Sequence, residues 1–273
     1  MIQIDNISFK YAGSRQQVFQ NFSLEIEKNN IYGLLGKNGT GKSTLLYLIS
    51  GLLRAQRGQV RVDTMDASLR LPGMLQDIFI VPEEFDLPAL SLEQFLRMNE
   101  PFYPRFCREV LEQCLADFEL PTSLQLNSLS MGQKKKVYMS FALAAGTSLL
   151  LMDEPTNGMD IPSKAQFRRA VANNMTDDRT LIISTHQVHD VEQLLDHILI
   201  LTQTGLLLNS SVADICKDYS FEYRPAGSDM SDVVYAEPSL QGNAVMVRRR
   251  EGSAETQLNL ELLFDAVISG KVK

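Results

Sequence analysis

The apolar run Ile31-Tyr-Gly-Leu-Leu35 passes directly into Gly36-Lys-Asn-Gly-Thr-Gly41-Lys42-Ser43, and a helical pattern follows through Leu53. This sequence matches GxxxxGK[ST] in full, in the strand–loop–helix setting that such a loop requires. Glycines let backbone N–H groups turn inward around phosphates, and the helix start adds a favourable dipole. Lys42 is expected to bring positive charge to the β and γ phosphates, and the Ser43 hydroxyl to ligate Mg²⁺. Gly36, Asn38, Gly39, Gly41 and Thr44 are counted with them as nucleotide-binding. The loop alone says only that a nucleotide binds, since kinases, GTPases, helicases and transporters share it.

A second acidic element stands at Ser148-Leu-Leu-Leu-Met152-Asp153-Glu154-Pro155, an apolar strand ending in two carboxylates. Ligands of open α/β sheets lie beyond the carboxyl ends of strands, so these acids are expected beside the phosphates. Asp153 would hold Mg²⁺, directly or through water, and Glu154 would polarise the water that attacks the γ phosphate. The plainer alternative is a solvated acidic turn after a core strand. Further short apolar runs at Ile78–Val81, Leu181–Ile183 and Ile198–Leu201 suit the buried strands of a mostly parallel sheet.

Around this core the pattern changes. Residues 1–30 read as short strands, with the alternation of Ile2, Ile4 and Ile7 disturbed at one step. Residues 84–146 read as a helical insertion. There Ser91 and Gln94 form a capping-box start for Leu92–Met98, and a later helix carries Phe106, Val110, Leu111, Cys114, Leu115 and Phe118 on one face. Beyond about residue 215, Tyr223–Gly227 reads as a loop, Val233–Ala236 and Val245–Arg248 as strands, and Leu258–Ile268 as an amphipathic helix.

Composition narrows the function. A net charge of −7 argues against nucleic acid as the main partner. No window approaches 18 consecutive apolar residues, so a membrane role would come through a partner. The first residues lack the basic start and apolar stretch of a signal peptide. Cys107, Cys114 and Cys216 form no CxxC pair and are expected as reduced cytosolic thiols.

Leu129-Ser130-Met131-Gly132-Gln133, followed by Lys134–Lys136 and an apolar helix, resembles the LSGGQ signature of ABC ATPases, with Met131 in place of the first glycine. Asn157-Gly-Met-Asp160 resembles the D-loop of that family, and Ser184-Thr-His186 its switch histidine. Tyr11 stands where the family places an aromatic that stacks on adenine. The resemblance covers residues 1 to about 215, and the order of the motifs agrees throughout. It implies ATP and Mg²⁺ as cofactors, with Ser130, Gly132 and Gln133 completing the site of a second subunit. Ser130 and Gly132 could instead be plain helix capping. Three lysines in the first turns of a helix oppose its dipole, which a nearby anion would relieve, although they could also form a solvated face. One departure concerns Glu83, which follows Pro82 where the family usually carries glutamine. Glu83 keeps an acceptor for Mg²⁺ or the attacking water and adds charge beside Asp153 and Glu154, so one carboxylate should titrate high. Gln76 precedes its strand and lies at the wrong end of the sheet.

The implied fold is an α/β P-loop ABC cassette with a mixed sheet and an antiparallel β region at the N-terminus. The ATPase domain would span 1–215, with a helical subdomain at about 84–146, and a small α+β appendage would span 216–273. Lys42 and Ser130 are 88 positions apart, with no long coiled coil between them as in the chromosome-organising members. A single GKS sets the chain apart from the two-cassette translation factors, and zinc modules of the repair type are absent from the sequence. Leu258-Asn-Leu-Glu-Leu-Leu-Phe264-Asp-Ala resembles the closing helix of exporter cassettes with separate permeases. The expected protein is thus a transporter ATPase, peripheral on the cytoplasmic face of the cell membrane. It would pair with a second cassette and an integral-membrane permease, with export as the expected direction of transport. The alternative is a soluble regulatory or assembly ATPase docking a non-membrane partner.

Overall fold

The computed structural model describes residues 1–250, 252 and 254–272. The chain opens with β1 (Ile2–Phe9), β2 (Phe19–Ile26), β3 (Ile31–Leu35), α1 (Lys42–Ile49), β4 (Arg57–Val62), β5 (Met65–Asp66), α2 (Pro72–Leu75) and β6 (Ile78–Val81). A helical stretch follows with α3 (Leu92–Asn99), α4 (Arg108–Asp117) and α5 (Met131–Ala144). The chain then builds β7 (Leu149–Asp153), α6 (Ile161–Asn174), β8 (Thr180–Thr185), β9 (His197–Thr202) and β10 (Gly205–Ser211). Last come α7 (Val212–Asp218), β11 (Tyr219–Pro225), β12 (Val233–Ser239), β13 (Gly242–Arg248) and α8 (Leu260–Ile268).

The main sheet has the order β10-β9-β3-β8-β7-β6, parallel except for β10 at one edge. Every residue of β3, β7 and β8 is buried, as central parallel strands covered on both faces must be. A four-stranded antiparallel sheet, β2-β1-β4-β5, forms the N-terminal layer. The broken alternation in β1 is a bulge. Its register against β2 shifts between Ile4 and Ile7, where Asn6 takes φ 48°.

Helix α1 lies between the two sheets. Its Leu45, Leu46, Leu48 and Ile49 share one core with Ile4, Leu24 and Val60 on one side and Leu34, Leu151 and Leu199 on the other. The helix stops at Ile49, not Leu53, because Ser50 closes it and Gly51 turns left-handed at φ 72°. On the opposite face of the main sheet, Phe141 of α5 meets Phe79 of β6, Phe95 of α3 and Phe106, and so fastens the helical stretch to the sheet. The capping box at Ser91 and Gln94 is formed as expected.

The C-terminal strands make a separate three-stranded sheet, β11-β13-β12. Tyr223–Pro225, expected in a loop, instead end β11, an edge strand where proline is tolerated. The expected junction at 215/216 falls inside α7. Leu260, Leu262, Leu263, Ala266 and Val267 of α8 join the same core as Val188, Val191 and Leu195. The α8 start is also held polar to polar: Leu260 N–H donates to Glu192 Oε1 at 2.8 Å, and His189 Nε2 lies 2.7 Å from Glu261 Oε2. All three cysteines are free, and burial pushes the Cys114 thiol up to about 12.

This packing makes α8 part of the cooperative core. Leu263→Ala, at a fully buried position, should therefore cost about 2–5 kcal/mol. Urea unfolding of parent and variant checks this, and an unchanged midpoint would show that α8 melts independently.

Candidate nucleotide site

Parallel register brings the motif residues to one edge. Leu35 pairs with Thr185, Asp153 with Ser184, and Val81 with Met152, so β3, β8, β7 and β6 end almost level. The loop 36–43 leaves β3, Glu154 follows β7, His186 follows β8, and Glu83 lies two residues beyond β6. Side chains spread over 150 positions of sequence therefore share one small region.

Within the loop, Gly36 is required by space. A Cβ there would stand 2.5 Å from the Leu201 carbonyl oxygen and 2.7 Å from Thr40 Oγ1. Gly41 precedes α1 in the left-handed region at φ 100°. Lys42 is buried, and its Nζ donates to the Gly36 carbonyl at 2.8 Å. The same ammonium stands 3.4 Å from Glu154 Oε1. Asn38 and Gly39 are exposed on the rim, while Thr44 is buried and its Oγ1 lies 2.9 Å from the Tyr11 hydroxyl. Tyr11 is 43% exposed, with its ring braced edge-on by Phe9.

The acids differ sharply in surroundings. Asp153 is 1% exposed. Burial raises its carboxyl above the usual aspartate range, opposed by hydrogen bonds from the Ser184 and Ser43 hydroxyls and reinforced by the charges of Glu154 and Glu83. The titration shift expected for one acid thus falls on Asp153, with burial its largest cause. Glu154 is 5% exposed and adopts φ 44°, a conformation uncommon for a non-glycine residue. Its N–H donates to the Ser184 carbonyl at 3.0 Å, and its carboxylate oxygen Oε1 lies 2.9 Å from His186 Nδ1. Glu154 is therefore no solvated turn residue: a histidine and a lysine hold its carboxylate at the strand end.

The donor chemistry fits a hard divalent cation. Ser43 and Asp153 offer two oxygens side by side, and Asp153 has no ion-pair partner among the described residues. Mg²⁺ takes few protein ligands and keeps phosphate and water oxygens. No group of three or more His, Cys, Asp or Glu that could hold a metal ion stands among the described residues. Glu83 is engaged elsewhere, accepting from the Asn157 side-chain amide at 2.8 Å.

The signature residues lie on α5. Ser130 caps it, with Ser130 and Gln133 closing a reciprocal capping box, and Gly132 lies in its first turn. The three lysines do not form a solvated face. Lys135 is buried and donates to the Asn157 carbonyl at 2.8 Å, Lys136 donates to Gln166 Oε1 at 2.8 Å, and Lys134 stands 4.0 Å from Asp86. Sequence reasoning gave no role to Ser184, whose hydroxyl donates to Asp153, nor to the side chain of Asn157, and it read Lys135 only with its neighbours, as facing an anion or solvent. Ser184 could have been found from its place one step before the level strand ends.

A family model described as "ABC transporter" matches residues 19–157. The chain belongs to the ABC transporter family. The ATP-binding protein YtrB of Bacillus subtilis is 28% identical over 80% of this chain and 75% of its own. The methionine import ATP-binding protein MetN of Carboxydothermus hydrogenoformans is 31% identical over 79% of this chain and 67% of its own. Among solved structures, a dimeric ATP-binding cassette in a post-hydrolysis state bound to ADP and Pi shares the fold. It has a TM-score of 0.67 and 23% identity, and the match covers 78% of this chain and 99% of that one. This ABC cassette is accordingly an ATP-binding subunit and an ATPase. No helix among the described residues is long and apolar enough to cross a membrane.

The burial of Asp153 has a measurable consequence for the nucleotide-free cassette. A carboxyl raised in the folded state binds its proton more tightly there than in the unfolded chain. Its stabilising contribution is complete below the unfolded value and is lost as pH rises through the raised folded value. Asp153→Asn should therefore raise the melting temperature at pH 7 and flatten the fall in stability across that window. Thermal unfolding against pH, without nucleotide, tests this; equal melting temperatures at pH 7 would mean that Ser184 and Ser43 fully offset the burial.

Proposed function

We propose that this cassette hydrolyses ATP as one of a pair that closes around nucleotide and drives a separate integral-membrane permease from the cytoplasmic face. The observation that carries the hydrolytic part is the Glu154 carboxylate, held 2.9 Å from His186 and 3.4 Å from Lys42 beside the phosphate loop. In this reading the β and γ phosphates take over the Lys42 ammonium from the Gly36 carbonyl and from Glu154. Ser43 and Asp153 would hold Mg²⁺, with Glu83 a further acceptor once it leaves Asn157; the cation would neutralise charge on the phosphate oxygens. Glu154, released from Lys42, accepts a proton from the attacking water, and His186 keeps its carboxylate aimed. Tyr11 offers its ring to adenine from the rim.

Pairing is supported by the signature. Gly132 has a non-strained backbone, and nothing lies within 4 Å of a Cβ built on it. The fold of one chain gives no reason for glycine there. Close approach by a group from outside does, and the phosphates bound to the second cassette's loop are that group. Ser130 and Gln133 cap each other at the same helix start, which leaves the N–H groups of Met131 and Gly132 to favour an anion.

The permease reading is supported by a cleft of about 430 Å³ between the main sheet and the helical stretch, lined by Leu52, Leu75, Ile80, Phe102 and Tyr138. Phe102 is 65% exposed and Leu52 53%. Leu87 is 8% exposed and does not line the cleft, and Phe85 stacks on the lining residue Tyr138 at 4.5 Å. An apolar permease helix is the occupant that fits. The closing pattern that resembles exporter cassettes is spent on packing α8 into the core, and an import subunit stands among the relatives. Transport without a stated direction is therefore the reading the observations support.

Two experiments test it. Glu154→Gln should lower turnover by about 10²–10⁴-fold while ATP binding persists. With ATP and Mg²⁺ this variant should dimerise in light scattering, and Lys42→Ala should stay monomeric; a Glu154→Gln monomer at saturating ATP would overturn pairing. Phe102→Asp should leave hydrolysis by the isolated chain intact but abolish transport and co-purification with a multi-span membrane protein. Unchanged co-purification would remove this cleft as the docking surface.

A further inference from the structure

Asn157 sits where three segments of the site meet. Its backbone N–H donates to the Glu154 carbonyl at 3.1 Å. Its side-chain amide donates to Glu83 Oε1 at 2.8 Å, and its carbonyl accepts from Lys135 Nζ at 2.8 Å. The partners come from the end of β7, the segment after β6 and the second turn of α5. One residue thus links the turn that carries Glu154 to the helix that carries the signature.

Lys135 is an unexpected residue for this place. It is 8% exposed, and lysine is almost never fully buried unless paired. Its direct partner is a neutral carbonyl, for which an uncharged donor would serve. What distinguishes the site is acid: Glu83, Glu154, Glu84 and Asp153 all favour the ammonium form against burial, Glu83 most strongly. Glu83 and Lys135 also line the same cleft of about 530 Å³, with Asn157 between them.

We propose that Lys135 is a positioning residue for ATP hydrolysis. It ties the signature helix to the turn bearing Glu154, and its charge offsets Glu83 across Asn157. Displacement of the α5 start by a bound phosphate is then felt at Asn157 and passed to the backbone of Glu154. Removing the carboxylate leaves the buried Lys135 ammonium short of its strongest counter-charge, and removing the ammonium leaves the half-buried Glu83 carboxylate unbalanced; removing both restores neutrality and retains the hydrogen bonds, because glutamine can donate at position 135 and accept at position 83. The proposal rests on the reading of Glu154 as the group that acts on water.

The test is a double-mutant cycle in kcat and KM for ATP, with Lys135→Gln, Glu83→Gln and the double variant. Each single change should lower kcat about tenfold, with KM within about twofold because no phosphate-loop contact is lost. The double variant should recover to within about threefold of the parent, a non-additivity that simple loss of structure does not produce. Lys135→Gln at the parent rate, a double variant at the product of the single effects, or a change confined to KM would each overturn the proposal. If Lys135→Gln does not fold alone, the double variant is compared with Glu83→Gln, which it must exceed in kcat; an equal or slower double variant overturns the pairing. Glu154→Gln serves as control: a parental rate there would remove the site reading itself, whereas an inactive Glu154→Gln with an additive cycle rejects Lys135 alone.

Discussion

Everything at this site depends on the level ending of four neighbouring parallel strands. A parallel ladder lets each strand deliver its next residue to the same edge of the sheet, and β3, β8, β7 and β6 do so within one residue of one another. The phosphate loop, the two acids, the histidine and Glu83 are therefore neighbours by register. Burial of β3, β7 and β8 on both faces makes this register rigid, because a slip would carry every apolar side chain out of place. The two cores on either side of the sheet hold it flat against the helices.

The residues placed there are locally costly ones. Asp153 is a buried carboxylate with a raised titration point, Lys42 is a buried ammonium, and Glu154 occupies a left-handed backbone conformation. A strained backbone of this kind costs about 1–3 kcal/mol and persists only where the surroundings over-determine it. Here they do: Glu154 is fixed through its own N–H, through its carbonyl to Asn157 and through its carboxylate to His186 and Lys42. The mutual satisfaction of Lys42 and Glu154 keeps both charges paired inside the site.

The helical stretch and the C-terminal unit attach to this edge in different ways. Aromatic packing around Phe141 fixes α5 against β6, while Lys135 and Lys136 connect α5 to the turn after β7 and to α6. Helix α8 packs on the segment that follows His186 and bonds to Glu192 and His189. Both attachments reach the site through the short loops that leave β7 and β8, so the site is braced from two sides of the sheet.

Much of this was legible in the chain itself. The strand–loop–helix around Lys42, the acidic strand end at Asp153-Glu154 and the capping box at Ser91 and Gln94 are local: their chemistry lies in contiguous residues and their spacing. The bulge near Asn6 was visible for the same reason, as a missed step in an alternation. Strands β4 and β10 and helix α6 left weak patterns because their residues are largely polar and half-exposed, so burial does not impose a period. The loop assignment at Tyr223–Pro225 failed because Pro225 was read as a breaker, when an edge strand has no ladder bond there to lose. What the sequence determined alone was the kind of chemistry, since a phosphate loop and an acidic strand end are each set by neighbours in the chain. Only the tertiary structure decided the pairings: Glu83 with Asn157, Lys135 buried and not solvated, and Ser184 on Asp153. These contacts join residues 22 to 74 positions apart, and their geometry exists only once register and packing have brought the segments together.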